Sequence, residues 1–360
     1  MRLPALPPPH GRPMTVTVAL DGMGGDKAPE IVIAGAALAR ERRPDLRFLL
    51  FGDEARINGL VDQHAGLAEA IELRHTADAV AGDAKPSTAL RQGRRSSMRL
   101  AIDAVRDGEA GAAVSAGNTG ALMAMAIFVL KTLPGIDRPA IASVMPSKRN
   151  PVVFLDLGAN VECSAENLFE FAVMGEVYAR TVLGVAKPRI GLLNIGTEEL
   201  KGDGVVRSAA GLLRKSDLDI DYAGFVEGTD VTAGTVDVVV TDGFTGNVAL
   251  KIAEGTAGLF TDALKDAFAS SWRSKLGYLL AKPALGGLRD RFDPRLYNGA
   301  LFLGVNGVVV KSHGGTDAVG FASAINAAVD FVRQGTNERI IEEMGSVSTD
   351  RTPEPRAANG

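Results

Sequence analysis

The chain has 360 residues and a mass of 37.6 kDa, room for two domains of about 150 residues or one large α/β unit, which excludes a disulfide-stapled miniprotein. Lys and Arg number 39 against 43 Asp and Glu, a formal net charge of −4, so no global positive excess supports a nucleic-acid partner and any basic site must be local. The lone cysteine, Cys163, forms neither an intrachain disulfide nor a thiolate metal cluster and fits a reducing compartment.

In chain order, MRLPALPPPHGRP opens with an apolar stretch broken by Pro7, Pro8 and Pro9. Residues 1–13 therefore read as a flexible leader, with a start at Met14 as the alternative. From Thr15 onward, strand-like and helix-like text alternates: VTVAL, then IVIAGAALARERR; FLLFGD; IELRH, then STALRQGRRSSMRLAIDAV. The pattern continues with AAVSAG before NTGALMAMAIFVL, VVFLDLGAN before ENLFEFAVMGEVYART, RIGLLNIG before GVVRSAAGLLRK, and DVVVTDGF before TGNVALKIAEGTAG. Strands this uniformly apolar are buried on both faces, which predicts a three-layer α/β/α fold around one large, mostly parallel sheet. No proline-rich linker interrupts residues 14–344, so one intertwined unit is expected, followed by a polar disordered tail over 345–360. The longest apolar run, Ala121 to Leu130, is ten residues, short of the roughly 20 a membrane span needs.

One segment, 256–293, departs from the alternation. Phe260, Leu264, Phe268, Trp272, Leu276 and Leu280 recur every four residues, with Lys265, Arg273, Lys275 and Lys282 among or beside them. This predicts an amphipathic helix or helical hairpin protruding from the sheet, packed on its own domain or a second copy, or resting on an anionic lipid surface.

Glycine accounts for 42 residues, above the usual share, and gathers at the ends of apolar runs. Five turns follow strands: Asp21-Gly22-Met-Gly24-Gly25-Asp26, Ser115-Ala-Gly-Asn118-Thr119-Gly120, Asp156-Leu-Gly-Ala-Asn160, Asn194-Ile-Gly196-Thr-Glu198 and Asp242-Gly243-Phe-Thr-Gly-Asn247. In an open parallel sheet such turns share the carboxyl edge, so all five are expected to line one cleft. Glycine lets peptide N–H groups approach an anion, and helix N-termini add positive potential. Gly22-Met-Gly24 lacks the last glycine of G-x-G-x-x-G, and no G-x-x-x-x-G-K-[ST] occurs. The chemistry indicated is a site for phosphate or a phosphorylated ligand. Asp21, Asp26 and Asp156 could gather a divalent cation or orient loop amides; no obligatory metal or cofactor is expected.

LDGMGGDKAPE, VSAGNTGALMA, FLDLGANVECSAENLFEFAVMG, LLNIGTEELKG, GFVEGTD, VVVTDGFTGNVALKIAEG and GALFLGVNGVVVKSHGGTDA resemble, in order and spacing over about residues 15 to 335, the motifs of the acyl-carrier-protein-dependent phosphate acyltransferase family of bacterial phospholipid synthesis. The resemblance implies transfer of a long-chain acyl group from acyl carrier protein to inorganic phosphate. It further implies a fold similar to the isocitrate and isopropylmalate dehydrogenases and to phosphate acetyltransferases, a homodimer, and a cytoplasmic protein attached peripherally to the cell membrane. Where the family usually carries Tyr-Gly-Gly-Ala, this chain reads Tyr297-Asn298-Gly299-Ala300, which leaves the local backbone open.

For that chemistry the enzyme must bind an anion, aim it at a thioester and stabilise the developing oxyanion; no acyl-enzyme is required. Lys201 is expected to bind phosphate or the developing charge, with a solvated loop lysine as the alternative. Asp242 either orients a partner or caps the following helix. Asn118, Asn160, Asn194 and Asn247 offer amide donors or serve as turn residues. His313, in Lys311-Ser-His-Gly-Gly315, suits a cleft role or a structural hydrogen bond. Cys163 reads as a packed thiol. Arg91, Arg94, Arg95 and Arg99 fall within one expected helical stretch, Arg91 sharing a face with Arg95 and Arg95 with Arg99, and would dock the acidic carrier protein. Competing readings are a metal- and NAD-dependent decarboxylating 2-hydroxyacid dehydrogenase of the same fold, an acetyl-CoA phosphate acetyltransferase, and a non-catalytic lipid-surface scaffold.

Overall fold

The apolar strand text becomes the centre of the molecule: Val18, Ala19 and Leu20 in one strand and Val238, Val239 and Val240 in another have almost no exposed surface. The computed structural model describes residues 15–347; the expected leader, and residues 348–360 of the expected tail, lie outside the described residues. In chain order the strands are β1 (Thr17–Asp21), β2 (Arg47–Gly52), β3 (Ile71–His75), β4 (Ala112–Ser115), β5 (Ala140–Met145), β6 (Val152–Leu155), β7 (Arg189–Leu193), β8 (Asp221–Val226), β9 (Val238–Val240), β10 (Ala300–Leu303) and β11 (Val308–Lys311). The helices are α1 (Glu30–Arg42), α2 (Glu54–Val61), α3 (Pro86–Gln92), α4 (Ser97–Arg106), α5 (Thr119–Leu130), α6 (Ala165–Val182), α7 (Gly204–Lys215), α8 (Gly228–Ala233), α9 (Gly243–Ala269), α10 (Trp272–Phe292), α11 (Ala318–Arg333) and α12 (Thr336–Ser346). The last helix takes in Gly345 and Ser346, where the sequence suggests the tail begins.

All strands form one sheet in the order β3-β2-β1-β4-β11-β10-β5-β6-β9-β7-β8. Seven of its ten pairings are parallel; β10 with β11, β10 with β5, and β5 with β6 are antiparallel. Three successive reversals turn the β6-β9-β7-β8 group opposite to the β3-β2-β1-β4-β11 group. Helices cover both faces, and fully buried Phe154, Phe169, Phe171 and Phe321 each stabilise the core by roughly 1.5–3 kcal/mol.

That reversal corrects the expectation of a single cleft edge. The turns after β1 and β4 leave one edge with the Lys311–Gly315 turn after β11, while those after β6, β7 and β9 leave the other. An apolar run reads alike in both directions, so spacing alone does not reveal the flip.

A second correction concerns the arginine stretch. The helix expected across 87–105 is two helices, α3 and α4, separated at Gly93–Ser96, where the Ser96 hydroxyl caps α4 by accepting the Arg99 N–H at 3.3 Å. Arg91 lies on α3, Arg94 and Arg95 in the connection and Arg99 on α4, so the shared face is lost.

The 256–293 segment is a helical hairpin. Ser271 starts α10, its hydroxyl accepting the Ser274 N–H at 3.1 Å, and Phe268 meets Tyr278 with ring centroids 5.2 Å apart. From Lys251 to Gly287 no residue is buried. Phe260, Trp272 and Leu280 are 71%, 71% and 77% exposed, and Leu264 and Leu276 are also exposed. Among the described residues no helix is long and apolar enough to cross a membrane.

Candidate active site

At the first edge, β1 delivers Asp21, whose carboxylate is 1% exposed. It accepts the Ser97 hydroxyl at 2.5 Å, the Ser115 hydroxyl at 2.6 Å and the Met23 N–H at 3.3 Å. Burial pushes its pKa up, and these hydrogen bonds pull it back. Gly24 is required here, since a Cβ would sit on the Asp21 carboxylate and 2.9 Å from the Gly117 nitrogen. The Asp26 N–H donates to Gly314 O at 3.0 Å, joining the β1 turn to the turn after β11.

Lys311 ends β11 as the register partner of Ser115. Its ammonium donates to Ala116 O at 3.3 Å and to Ser312 O. Burial pulls its pKa down to about 8, against the charges of Asp21 and Asp26, and Lys251 lowers it further. Lys251 lies eight residues into α9, about 12 Å along a helix; α9, launched from the second edge, thus brings its charge within reach of the first.

Asn298, the departure noted in the sequence, braces this turn: its amide donates to Ser312 Oγ at 2.8 Å and Thr316 Oγ1 at 3.3 Å, and its Oδ1 accepts the His313 N–H at 3.0 Å. Its φ of −72° needs no glycine. Asn298→Gly removes three hydrogen bonds, and we expect a loss of about 1–3 kcal/mol in chemical denaturation. His313 lies on the exposed side of the turn, its Nδ1 accepting the Gly315 N–H at 3.2 Å.

At the second edge Asp156 is fully buried. Its carboxylate accepts N–H groups of Ile141 (2.9 Å), Gly158 (3.1 Å), Ala159 (3.0 Å) and Asn160 (2.8 Å), and the Asn160 amide at 2.9 Å. Burial pushes its pKa up while these donors lower it. The Gly243 N–H donates to Asn160 O at 2.7 Å, fastening α9 to the β6 turn. Asp242 caps α9, accepting the Thr245 N–H at 2.8 Å and hydroxyl at 2.7 Å. Asn247 packs beside Gly158. Lys201 is half exposed and paired with Glu198 at 2.8 Å, which raises its pKa. Burial pushes the Cys163 thiol up to about 12, the nearby Asp156 charge adding to the effect.

The asparagines divide clearly. An amide has two N–H donors. Asn118 gives its own to Gly82 O (2.7 Å) and Ala84 O (3.2 Å), and its Oδ1 caps α5 through the Ala121 N–H. Asn160 donates to Pro139 O and Asp156, and Asn194 to Gly196 O and Lys201 O, both at 3.1 Å. Three of the four expected side-chain donors are therefore committed to structure. Donors left at the first edge include the peptide N–H groups of Thr119 and Gly120 at the start of α5 and the Lys311 ammonium. Sequence reading passed over Lys311; its signal is its place as the last residue of a strand, matching Asp21 and Ser115.

Among the described residues no three His, Cys, Asp or Glu side chains converge as a metal site. Asp21 and Asp26 flank one edge and Asp156 the other, so they do not gather around one ion.

The architecture is that of the phosphotransacetylases and related dehydrogenases. A phosphotransacetylase from Streptococcus pyogenes superposes with a TM-score of 0.59 at 18% identity, covering 91% of this chain and 94% of that one. The 4-hydroxythreonine-4-phosphate dehydrogenase of Klebsiella pneumoniae gives 0.50 at 14% identity over 89% of this chain and 99% of that one; at such identities the likeness defines the fold alone. A family model described as fatty acid synthesis protein matches residues 16–339. The phosphate acyltransferase of Rhodospirillum centenum is 64% identical over 327 residues, 91% of this chain and 92% of that protein. The chain belongs to this fatty acid synthesis protein family.

Proposed function

We propose that this chain is a phosphate acyltransferase that moves a long-chain fatty acyl group from acyl carrier protein to inorganic phosphate, with bound phosphate attacking the thioester directly. The observation that carries the direct route is an edge that offers anion donors and, among the described residues, no exposed activated side-chain nucleophile beside them. Ser97 and Ser115 are 1% and 2% exposed, shielded from a substrate, and their hydroxyls donate to Asp21, while the Cys163 thiol, at the second edge, is held protonated at neutral pH. In the reaction a phosphate oxygen bonds to the thioester carbonyl carbon, the oxyanion collapses, the C–S bond breaks, and the pantetheine sulfur leaves as thiolate and takes up a proton. The products are acyl phosphate and free carrier-protein thiol. Incubating the protein with acylated carrier protein and phosphate, then trapping with hydroxylamine, must yield the acyl hydroxamate in a phosphate-dependent manner; intact thioester rejects the reading.

Carrier-protein docking falls to the connection between α3 and α4. Arg91, Arg94 and Arg95 are exposed, while Arg99 is mostly covered, paired with Asp103 at 3.1 Å and placed over the Phe128 ring. Ser97, two residues beyond Arg95, touches Asp21, so an acidic partner seated on this loop is beside the phosphate edge. Reversing Arg94 and Arg95 to Glu is expected to raise KM for acylated carrier protein at least tenfold while KM for phosphate changes less than twofold, and the carrier-protein effect shrinks at high salt. Equal effects on both substrates reject the assignment.

The exposed apolar residues of the α9–α10 hairpin support peripheral contact with a membrane surface, cytoplasmic side, and cover for the acyl chain in a homodimeric protein. Leu276→Glu with Leu280→Glu is expected to abolish sedimentation with anionic liposomes while circular dichroism stays unchanged; undiminished binding removes the hairpin from that role.

A further inference from the structure

The ammonium of Lys311 lies at the first edge beside the turns after β4 and β11 and makes no direct ion pair among the described residues. Two of its three donors are directed by Ala116 O and Ser312 O, fixing its orientation. A largely desolvated cation that makes no direct ion pair gains stabilisation from a bound anion beyond what the nearby charges of Asp21 and Asp26 supply. Of the two carboxylates whose charges reach it, Asp21 is bound by two hydroxyls and the exposed Asp26 lies over Gly314 and Gly315, its N–H tied to Gly314 O. Gly24, Gly25, Gly117, Gly314 and Gly315 bring the turn backbones close together here, with the Asp21 carboxylate against Gly24 and Gly117 and the Asp26 carboxylate against Gly314 and Gly315.

We propose that Lys311 is the residue that receives the phosphate substrate, its third donor completing a cradle with the peptide N–H groups of Thr119 and Gly120 at the start of α5. This rests on the phosphate acyltransferase reading and assigns to Lys311 the part that spacing gave to Lys201. Asn298, through Ser312 and His313, acts as a positioning residue for the same turn.

The test is equilibrium dialysis with radiolabelled inorganic phosphate, acyl donor omitted, so that binding is read apart from turnover. Lys311→Met is expected to weaken phosphate binding at least tenfold, Lys311→Arg to recover part of it, and Lys215→Met, a solvent-facing control on α7, to leave it unchanged. For the unmodified chain, the amine is charged below about 8 and neutral above, with Asp21 and Asp26 favouring the charged form and Lys251 the neutral one. Phosphate affinity must therefore fall as pH rises through that value, which keeps the proposal testable should Lys311→Met fail to fold. A folded Lys311→Met that binds phosphate normally, or a pH-independent affinity in the unmodified chain, overturns it, as does loss of binding in Lys201→Met alone. The hydroxylamine experiment on the unmodified chain judges the acyltransferase reading separately.

Discussion

Replacing Asp156 by alanine is expected to remove about 3–5 kcal/mol of stability, read as a large fall in the urea midpoint with little change in slope. The carboxylate collects five donors from the β6 turn and from Ile141 at the start of β5. Its loss leaves several buried N–H groups without acceptors, each at a cost of about 1–3 kcal/mol before relaxation. Asp156→Asn is also expected to destabilise, because an amide presents a donor where all the partners are donors. A stability loss under 1 kcal/mol for the alanine variant would mean that the turn is held by other contacts. Because β5 and β6 form one of the three antiparallel pairings at which the sheet reverses, disruption here is expected to spread to the Asn160–Gly243 contact and the root of α9.

Gly24→Ala carries the largest expected effect on turnover. The added methyl would occupy the position of Asp21 Oδ2, which must move away from Ser115 or push back the Gly117 backbone. Displacement of reacting groups by about 1 Å costs on the order of 10²-fold in rate. We expect kcat/KM for phosphate to fall by about that factor in the folded protein, with folding checked by circular dichroism because Gly24 is buried against Asp21. Activity within threefold of the unmodified chain would separate this turn from the chemistry. Gly120→Ala, whose methyl would meet the Pro86 ring at 3.0 Å and Asn118 Oδ1 at 3.6 Å, supplies the mild comparison.

Much of this organisation is legible in the residues. Apolar runs ending in Asp, Ser or Asn followed by glycine marked β1, β4, β6, β7 and β9 together with their turns, because a buried strand and a close backbone approach each require those residue types. The four-residue spacing from Phe260 to Leu280 located the hairpin. Strand direction stayed hidden, since β5 and β10 carry ordinary apolar text and their antiparallel pairing is decided by the tertiary structure. The α3–α4 break was written in Gly93 and Ser96, but the arginine spacing drew attention away from the cap. Side-chain commitment was also invisible: Asn118, Asn160 and Asn194 look like free donors until their acceptors Gly82, Pro139 and Gly196 arrive from distant or folded-back backbone. The burial of Lys311 has no local signal in the sequence, since the carbonyl that holds its ammonium belongs to Ala116, 195 residues away.

The central claim is that orthophosphate itself opens the fatty thioester. The most direct measurement is a single-turnover reaction with a radiolabelled acyl group on carrier protein, with phosphate withheld, quenched in acid and separated under denaturing conditions. The account predicts that no label travels with the polypeptide and that acyl phosphate forms only once phosphate is added. Label bound covalently to the chain before phosphate is present, and discharged when it arrives, would contradict it.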